Sequence, residues 1–196
     1  MLTKKRRCHC NESILNCPVF ENENYILRFV DAADAPDLLL VYSDKNAVPI
    51  FNSDNCVDNF YYPSMERMQK AIEFWQREYQ KKYYVRWTIW DKNVYHAIGT
   101  IELFNRKAAD YFNNCGLLRL DLRSDYERVD KILEILSLIL TPAFDLFECQ
   151  FIATKVPGLA AERINAVEKL GFVLSKEKLI GGHDGKIYTD YYVLQR

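Results

Sequence analysis

A strand pattern that runs directly into a helical pattern limits the possible folds of this chain more than any other feature. In residues 115–123 (CGLLRLDLR), three leucines alternate with Arg119 and Asp121, which is typical of a half-buried strand. In residues 127–140, apolar side chains recur at helical spacing and predict a helix that is packed on most of its sides. The junction between them predicts a sheet that is covered by helices.

The remaining patterns predict the order β-α-α-β-β-β-α-β-α-β-β. A strand starts at Tyr25, and Asp31 is placed to cap the first helix. The second helix starts after Ser64 and carries Met, Ile and Trp at helical spacing. Two strands flank the turn DKNVY, and two final strands flank the turn GGHDG. We therefore expect a mixed α/β (α+β) fold: one domain with a central, mostly antiparallel sheet of about seven strands and helices on both faces.

Bulk properties fit a single domain. The chain has 196 residues, of which 49% are hydrophobic, and no linker-like composition divides it. We predict an N-terminal extension over residues 1–24, partly disordered, and one domain over residues 25–196. The formal net charge of −1 gives no support for a nucleic-acid partner or a membrane surface. The basic start is not followed by an apolar segment, so the expected location is cytoplasmic.

The N-terminal cysteines raise the question of a metal site. Cys8, His9, Cys10 and Cys17 lie close together, but a second ligand pair at the usual spacing is missing. Reduced thiols are the favoured interpretation, and no metal is predicted.

Three segments resemble one protein family. AVEKLGF (residues 166–172), HAIGTIELF (residues 96–104) and DGKIYTDYYVL (residues 184–194) are similar to segments of the GNAT superfamily of acyl-CoA-dependent N-acetyltransferases. The branch that acetylates the N-termini of ribosomal proteins is the most similar. The resemblance covers residues 25–196 and implies acetyl-CoA as cosubstrate. The implied acceptor is a primary amine on a small molecule or a protein N-terminus. The sequence leaves the oligomeric state open, and a homodimer is one option.

The resemblance also indicates where the cofactor would bind, although the motif there is degenerate. The family motif Gln/Arg-x-x-Gly-x-Gly/Ala falls on LRSDYERVDKI, with Glu127, Asp130 and Ile132 at its defining positions. Backbone amides and basic side chains would have to replace the glycines. The candidate cofactor-binding residues are Leu122, Arg123, Ser124, Glu127, Arg128, Val129, Asp130, Lys131 and Ile132.

Acyl transfer also needs a base for the amine and a proton donor for the leaving group. Carboxylates on the central strands, Glu102 and Asp121, are the candidate bases, and Glu102 is favoured. Tyr191 is the candidate donor, although packing is the more common role of such a tyrosine. The favoured hypothesis is an N-acetyltransferase that transfers the acetyl group directly from acetyl-CoA to the amine. The alternative is a catalytically inactive binding or interaction module with the same fold and weak or no CoA binding.

Overall fold

The computed structural model describes residues 16–196, which form an eight-stranded sheet in the order β1-β2-β3-β4-β5-β6-β10-β7, with a separate hairpin of β8 and β9. Only β5 and β6 run parallel within the large sheet; its other neighbours are antiparallel. The strands are β1 (Phe20–Glu21), β2 (Tyr25–Phe29), β3 (Val85–Asp91), β4 (His96–Arg106), β5 (Cys115–Leu122), β6 (Phe151–Lys155), β7 (Val173–Leu174), β8 (Leu179–Ile180), β9 (Ile187–Tyr188) and β10 (Tyr191–Gln195).

Four α-helices cover both faces of the sheet: α1 (Ala35–Tyr42), α2 (Met65–Gln80), α3 (Val129–Leu146) and α4 (Ala161–Lys169). The capping predictions are confirmed, because Asp31 accepts a hydrogen bond from Ala33 N and Ser64 accepts one from Arg67 N. Asp31 caps a short 3-10 turn that continues into α1. One apolar core lies between the sheet and α3 and α4, and a second lies between the sheet and α1 and α2.

The predicted fold class is confirmed, with three differences in detail. The large sheet has eight strands rather than about seven, because β1, which lies inside the segment predicted as an extension, pairs with β2 and adds one strand. Helix α3 starts at Val129 and continues through Pro142 to Leu146, further than the apolar stripe indicated. Strand β5 was predicted to be half-buried, and this was wrong: all eight of its residues are buried.

The buried polar face of β5 is explained by what covers it. Arg119 and Asp121 point to the α1–α2 side of the sheet, where side chains and the segment before α2 enclose them. A polar residue can alternate with leucine in a fully buried strand when neighbouring residues supply its hydrogen bonds. The predicted alternation of polar and apolar side chains along β5 was correct, but it did not indicate that the polar side chains are buried.

The two parallel strands pair over three positions only, which leaves the last part of β5 without a strand neighbour on that side; we call this unpaired edge the cleft. Their register covers Gly116 with Ile152, Leu117 with Ala153, and Leu118 with Thr154, and it ends there. Beyond Leu118, the last part of β5 leads into the loop before α3. The start of α4 lies across this opening.

Candidate functional site

The loop between β5 and α3, residues 123–128, is the predicted phosphate-binding segment. A phosphate at a helix N-terminus is held by backbone N–H groups that point away from the protein. Here Ser124 N donates to Asp44 Oδ2 at 2.9 Å, and Val129 N donates to Glu162 Oε2 at 2.9 Å. Three further amides donate to carbonyls within the loop, those of Tyr126, Glu127 and Arg128. Carboxylates of the chain itself therefore lie where an anionic ligand would bind.

The basic side chains of this loop already have partners. Arg123 forms a bidentate ion pair with Asp125, at 2.6 and 2.8 Å, and this ion pair raises the pKa of Arg123. Arg128 lies 3.3 Å from Asp130, and both side chains are mostly exposed. The Lys131 ammonium lies 3.9 Å from the centroid of the Tyr126 ring. Each predicted phosphate cation is paired with a neighbour on the same loop or helix.

Two of the predicted cofactor residues are core residues. The side chains of Leu122 and Ile132 are fully buried between the sheet and α3. Ile132 lies in the first turns of α3, whereas the family motif would require a small residue beside the ligand.

The opening between β5 and β6 is filled by Arg163, the third residue of α4. Its Nη1 donates to the carbonyl oxygen of Leu120 at 2.7 Å and to that of Ile50 at 3.5 Å. Its Nε donates to Glu127 Oε2 at 3.1 Å, and its Nη2 contacts the other oxygen of the same carboxylate. The Arg163 side chain is 3% exposed and that of Glu127 is 8% exposed, so this pair is shielded from water.

A buried cluster of charges lies beside the opening, on the α1–α2 side of the sheet. Arg86 contacts both predicted bases: its Nη2 lies 2.5 Å from Glu102 and its Nη1 lies 3.0 Å from Asp121. The second oxygen of Glu102 accepts a hydrogen bond from Arg119 at 2.6 Å. Tyr42 donates to Asp121 at 2.8 Å. The structure thus brings Glu102 and Asp121 together through one guanidinium.

These contacts determine the protonation of Glu102. Burial acts to raise the pKa of Glu102, but the positive charges of Arg86 and Arg119 outweigh it, so the pKa lies below the ordinary value. A carboxylate with both oxygens bound by guanidinium groups and a lowered pKa is a weak proton acceptor. Within residues 16–196, Arg86 Nε, Arg119 Nε and Asp121 Oδ1 are buried without a hydrogen-bond partner.

Tyr191 lies in a second, adjoining polar group. Its hydroxyl donates to Asp54 Oδ2 at 3.2 Å, and Lys155 binds the same carboxylate at 2.6 and 2.7 Å. Arg119 joins this group to the charged cluster by donating to the Asp54 carbonyl oxygen at 3.0 Å. Burial raises the pKa of Tyr191, so the phenol stays protonated at neutral pH.

The segment before α2, residues 47–64, lies over this polar region. Three of its four aromatic side chains, Phe51, Phe60 and Tyr62, are buried, while Tyr61 remains exposed. The centroid of the Phe60 ring lies 5.6 Å from Cζ of Arg86. Most of these aromatic residues therefore close the core over the charges.

Several residues of this site were missed from the sequence. Arg86 gave a signal, since a lone arginine in the apolar run YYVRWTIW requires a buried partner. Arg163 and Glu162 gave none, because charged residues near a helix start usually face solvent. Of the N-terminal cysteine group, only Cys17 lies within the described residues, where burial raises its pKa to about 12.

Known structures share this fold. A GNAT-family acetyltransferase from Bacillus anthracis superimposes with a TM-score of 0.66, covering 91% of this chain and 98% of that one at 11% identity. The ribosomal-protein-S5-alanine acetyltransferase from Vibrio fischeri gives a TM-score of 0.61 over 91% and 96% of the two chains at 16% identity. RimL, a ribosomal L7/L12 α-N-protein acetyltransferase in complex with coenzyme A, gives a TM-score of 0.66 over 91% and 98% at 14% identity.

The chain therefore has the fold of the GNAT N-acetyltransferases. No protein-family model and no curated protein matches the sequence. At these identities the similarity establishes the architecture alone.

The residues at the expected cofactor position do not fit acetyl-CoA as they stand. A pyrophosphate needs free, converging donors in the loop and at the start of α3, but the amide of Ser124 in the loop and that of Val129 at the start of α3 are bonded to carboxylates. The extended arm of the cofactor needs an open cleft between β5 and β6, and Arg163 fills it. Among residues 16–196, no helix has the length and apolarity to span a bilayer, and no cluster of ligand side chains is arranged to hold a metal ion.

Proposed function

We propose that this protein is a non-catalytic GNAT-fold module that serves in binding or interaction. The observation that carries the proposal is the bonding of the phosphate loop, where Asp44 and Glu162 accept the hydrogen bonds of Ser124 N and Val129 N. Phosphate would have to displace two carboxylates and approach Asp130, which is mostly exposed at the first turn of α3. The negative charge of Asp130 would repel a phosphate bound at the start of α3.

Calorimetric titration of acetyl-CoA into the purified protein tests this proposal. We expect no saturable heat up to millimolar cofactor at moderate salt. A dissociation constant in the micromolar range would overturn the proposal, because the loop would then bind phosphate without glycine. Free ADP in a parallel titration shows whether any signal comes from the nucleotide part alone.

The second candidate function is acetyl transfer from acetyl-CoA to a primary amine, on a small molecule or a protein N-terminus, within a cytoplasmic monomer or homodimer. The placement of the two carboxylates favours it, since Asp121 lies two residues before the loop at residues 123–128 and Arg86 joins it to Glu102. In this candidate Glu102 or Asp121 takes the amine proton, Tyr191 supplies a proton, and residues 122–132 contact the cofactor. An amine screen with acetyl-CoA tests it, and Glu102→Gln is expected to abolish any turnover under conditions where circular dichroism shows that the variant is still folded.

A further inference from the structure

The strongest feature outside the charged cluster is the way that α4 closes the cleft in the sheet. The carbonyl oxygen of Leu120 lies on β5 beyond the last residue that pairs with β6. A buried carbonyl at an unpaired strand edge must find another donor. Arg163 Nη1 supplies this hydrogen bond at 2.7 Å, so the unpaired edge of β5 is satisfied by a side chain of α4.

Arg163 is held there by a partner that is itself buried. Glu127 binds the guanidinium through both carboxylate oxygens, and neither side chain is more than 8% exposed. A buried charge that loses its partner is strongly destabilising, so neither side chain leaves the cleft independently. The same guanidinium also reaches Ile50, and it thus connects α4, β5, the loop before α3 and the segment before α2.

Glu162, the residue before Arg163 in α4, binds the first residue of α3. Glu162 accepts the hydrogen bond of Val129 N at 2.9 Å, at the first residue of α3. Its negative charge lies at the positive end of the helix dipole, where a phosphate would bind. Consecutive helical residues point about 100° apart, which lets one reach the helix end while the other reaches the cleft.

We propose that Glu162 and Arg163 act as an internal ligand that closes the cleft of this GNAT fold. The closure is a built-in structural feature: α4 supplies an anion to the α3 N-terminus and a cation to the open edge of β5. This inference rests on the proposed non-catalytic function and assigns its cause to α4 rather than to the missing glycines. Removing the two α4 contacts should therefore admit acetyl-CoA, whereas adding glycine to the loop should not.

The test compares acetyl-CoA binding by the wild-type chain and by the variant Glu127→Ala/Arg163→Ala, which removes the whole buried pair. We expect a dissociation constant at least ten-fold lower in the variant, and a further decrease when Glu162→Ala is added. A second variant, Glu127→Gln/Arg163→Met, keeps nearly the same volume without charge. It guards against loss of folding, since apolar or neutral replacement of a buried ion pair is often neutral for stability.

The matched control is Asp145→Ala/Arg196→Ala, which removes an Arg–Asp pair that is exposed and distant from the cleft. It should bind acetyl-CoA as the wild type does. Equal affinity of wild type and both cleft variants would overturn the internal-ligand inference, whatever the affinity is. Micromolar binding by the wild type would overturn the proposed function, so the two failures are distinguishable.

Thermal unfolding provides a readout that does not depend on the cofactor. Arg163→Ala alone should lower the melting temperature more than Glu127→Ala/Arg163→Ala does, because the single change leaves Glu127 buried without a partner. A double variant less stable than the single one would show that Arg163 does not depend on Glu127, and would contradict the closure.

Discussion

Single charged residues carry much of the internal organisation of this domain. Arg86 is 1% exposed and lies between Glu102 and Asp121, with Trp75 stacked 4.3 Å from its guanidinium. Arg86→Met keeps most of the stacking volume, but it leaves Asp121 buried without a cation and Glu102 paired with Arg119 alone. We expect a loss of about 3–5 kcal/mol in the free energy of unfolding, measured by urea denaturation.

The control for this variant is Arg196→Met. Arg196 pairs with Asp145 at the surface, where both side chains are more than half exposed, so its loss should cost about 0–1 kcal/mol. If Arg86→Met costs no more than the surface variant, the buried cluster does not stabilise the fold.

Glu102 gives a prediction for the dependence of stability on pH. Its pKa in the folded state lies below the unfolded value of about 4.3, so folding favours the deprotonated form. The contribution is fully present above that unfolded value and is lost as the pH falls through the folded pKa. We expect the difference in unfolding free energy between wild type and Glu102→Gln to be constant from pH 6 to 7 and to shrink below about pH 4. A difference that grows in acid would contradict the assigned sign.

At the scale of elements, the first turns of α3 behave as core structure rather than as a ligand loop. Ile132 is fully buried and packs in the core under the sheet. Ile132→Gly loses a buried side chain and adds a flexible residue to a helix, so it should cost about 3–6 kcal/mol. Asp130→Gly changes an exposed position and should cost about 1 kcal/mol or less. Neither variant should gain acetyl-CoA binding in calorimetry; a gain with either would show that glycine alone was missing.

The elements also show what a sequence can and cannot reveal. The start of α2 after Ser64 was predictable because its cap and its apolar spacing are local signals. The bonds that Asp44 makes to the loop and that Glu162 makes to α3 join residues 80 and 33 positions apart. No local pattern encodes such contacts. The sequence therefore showed that the cofactor motif is degenerate, but it did not show that Asp44 and Glu162 bind the amides of the loop and of α3. The burial of Arg119 was missed for the same reason, since its partners come from β4 and the segment before α2.

At the scale of the whole molecule, the two largest apolar cores share one sheet. Trp75 belongs to the core under α1 and α2, and Trp87 belongs to the core under α3 and α4. The charged cluster crosses β3, β4 and β5 on the first of these faces, while Arg163 ties α4 to the segment before α2. Because the same strands serve both cores and Arg163 joins α4 to the segment before α2, neither core should unfold while the other remains folded.

Two single-tryptophan variants test this cooperativity, since the chain has three tryptophans and the third is Trp90. Trp87→Phe/Trp90→Phe leaves a reporter in the α1–α2 core, and Trp75→Phe/Trp90→Phe leaves one in the α3–α4 core. Within each variant, the midpoint of urea unfolding by fluorescence should coincide with the midpoint by far-ultraviolet circular dichroism. An early fluorescence transition in one variant alone would mean that the sheet does not couple its faces. Coincident midpoints in both variants would mean that the two cores unfold as one cooperative unit.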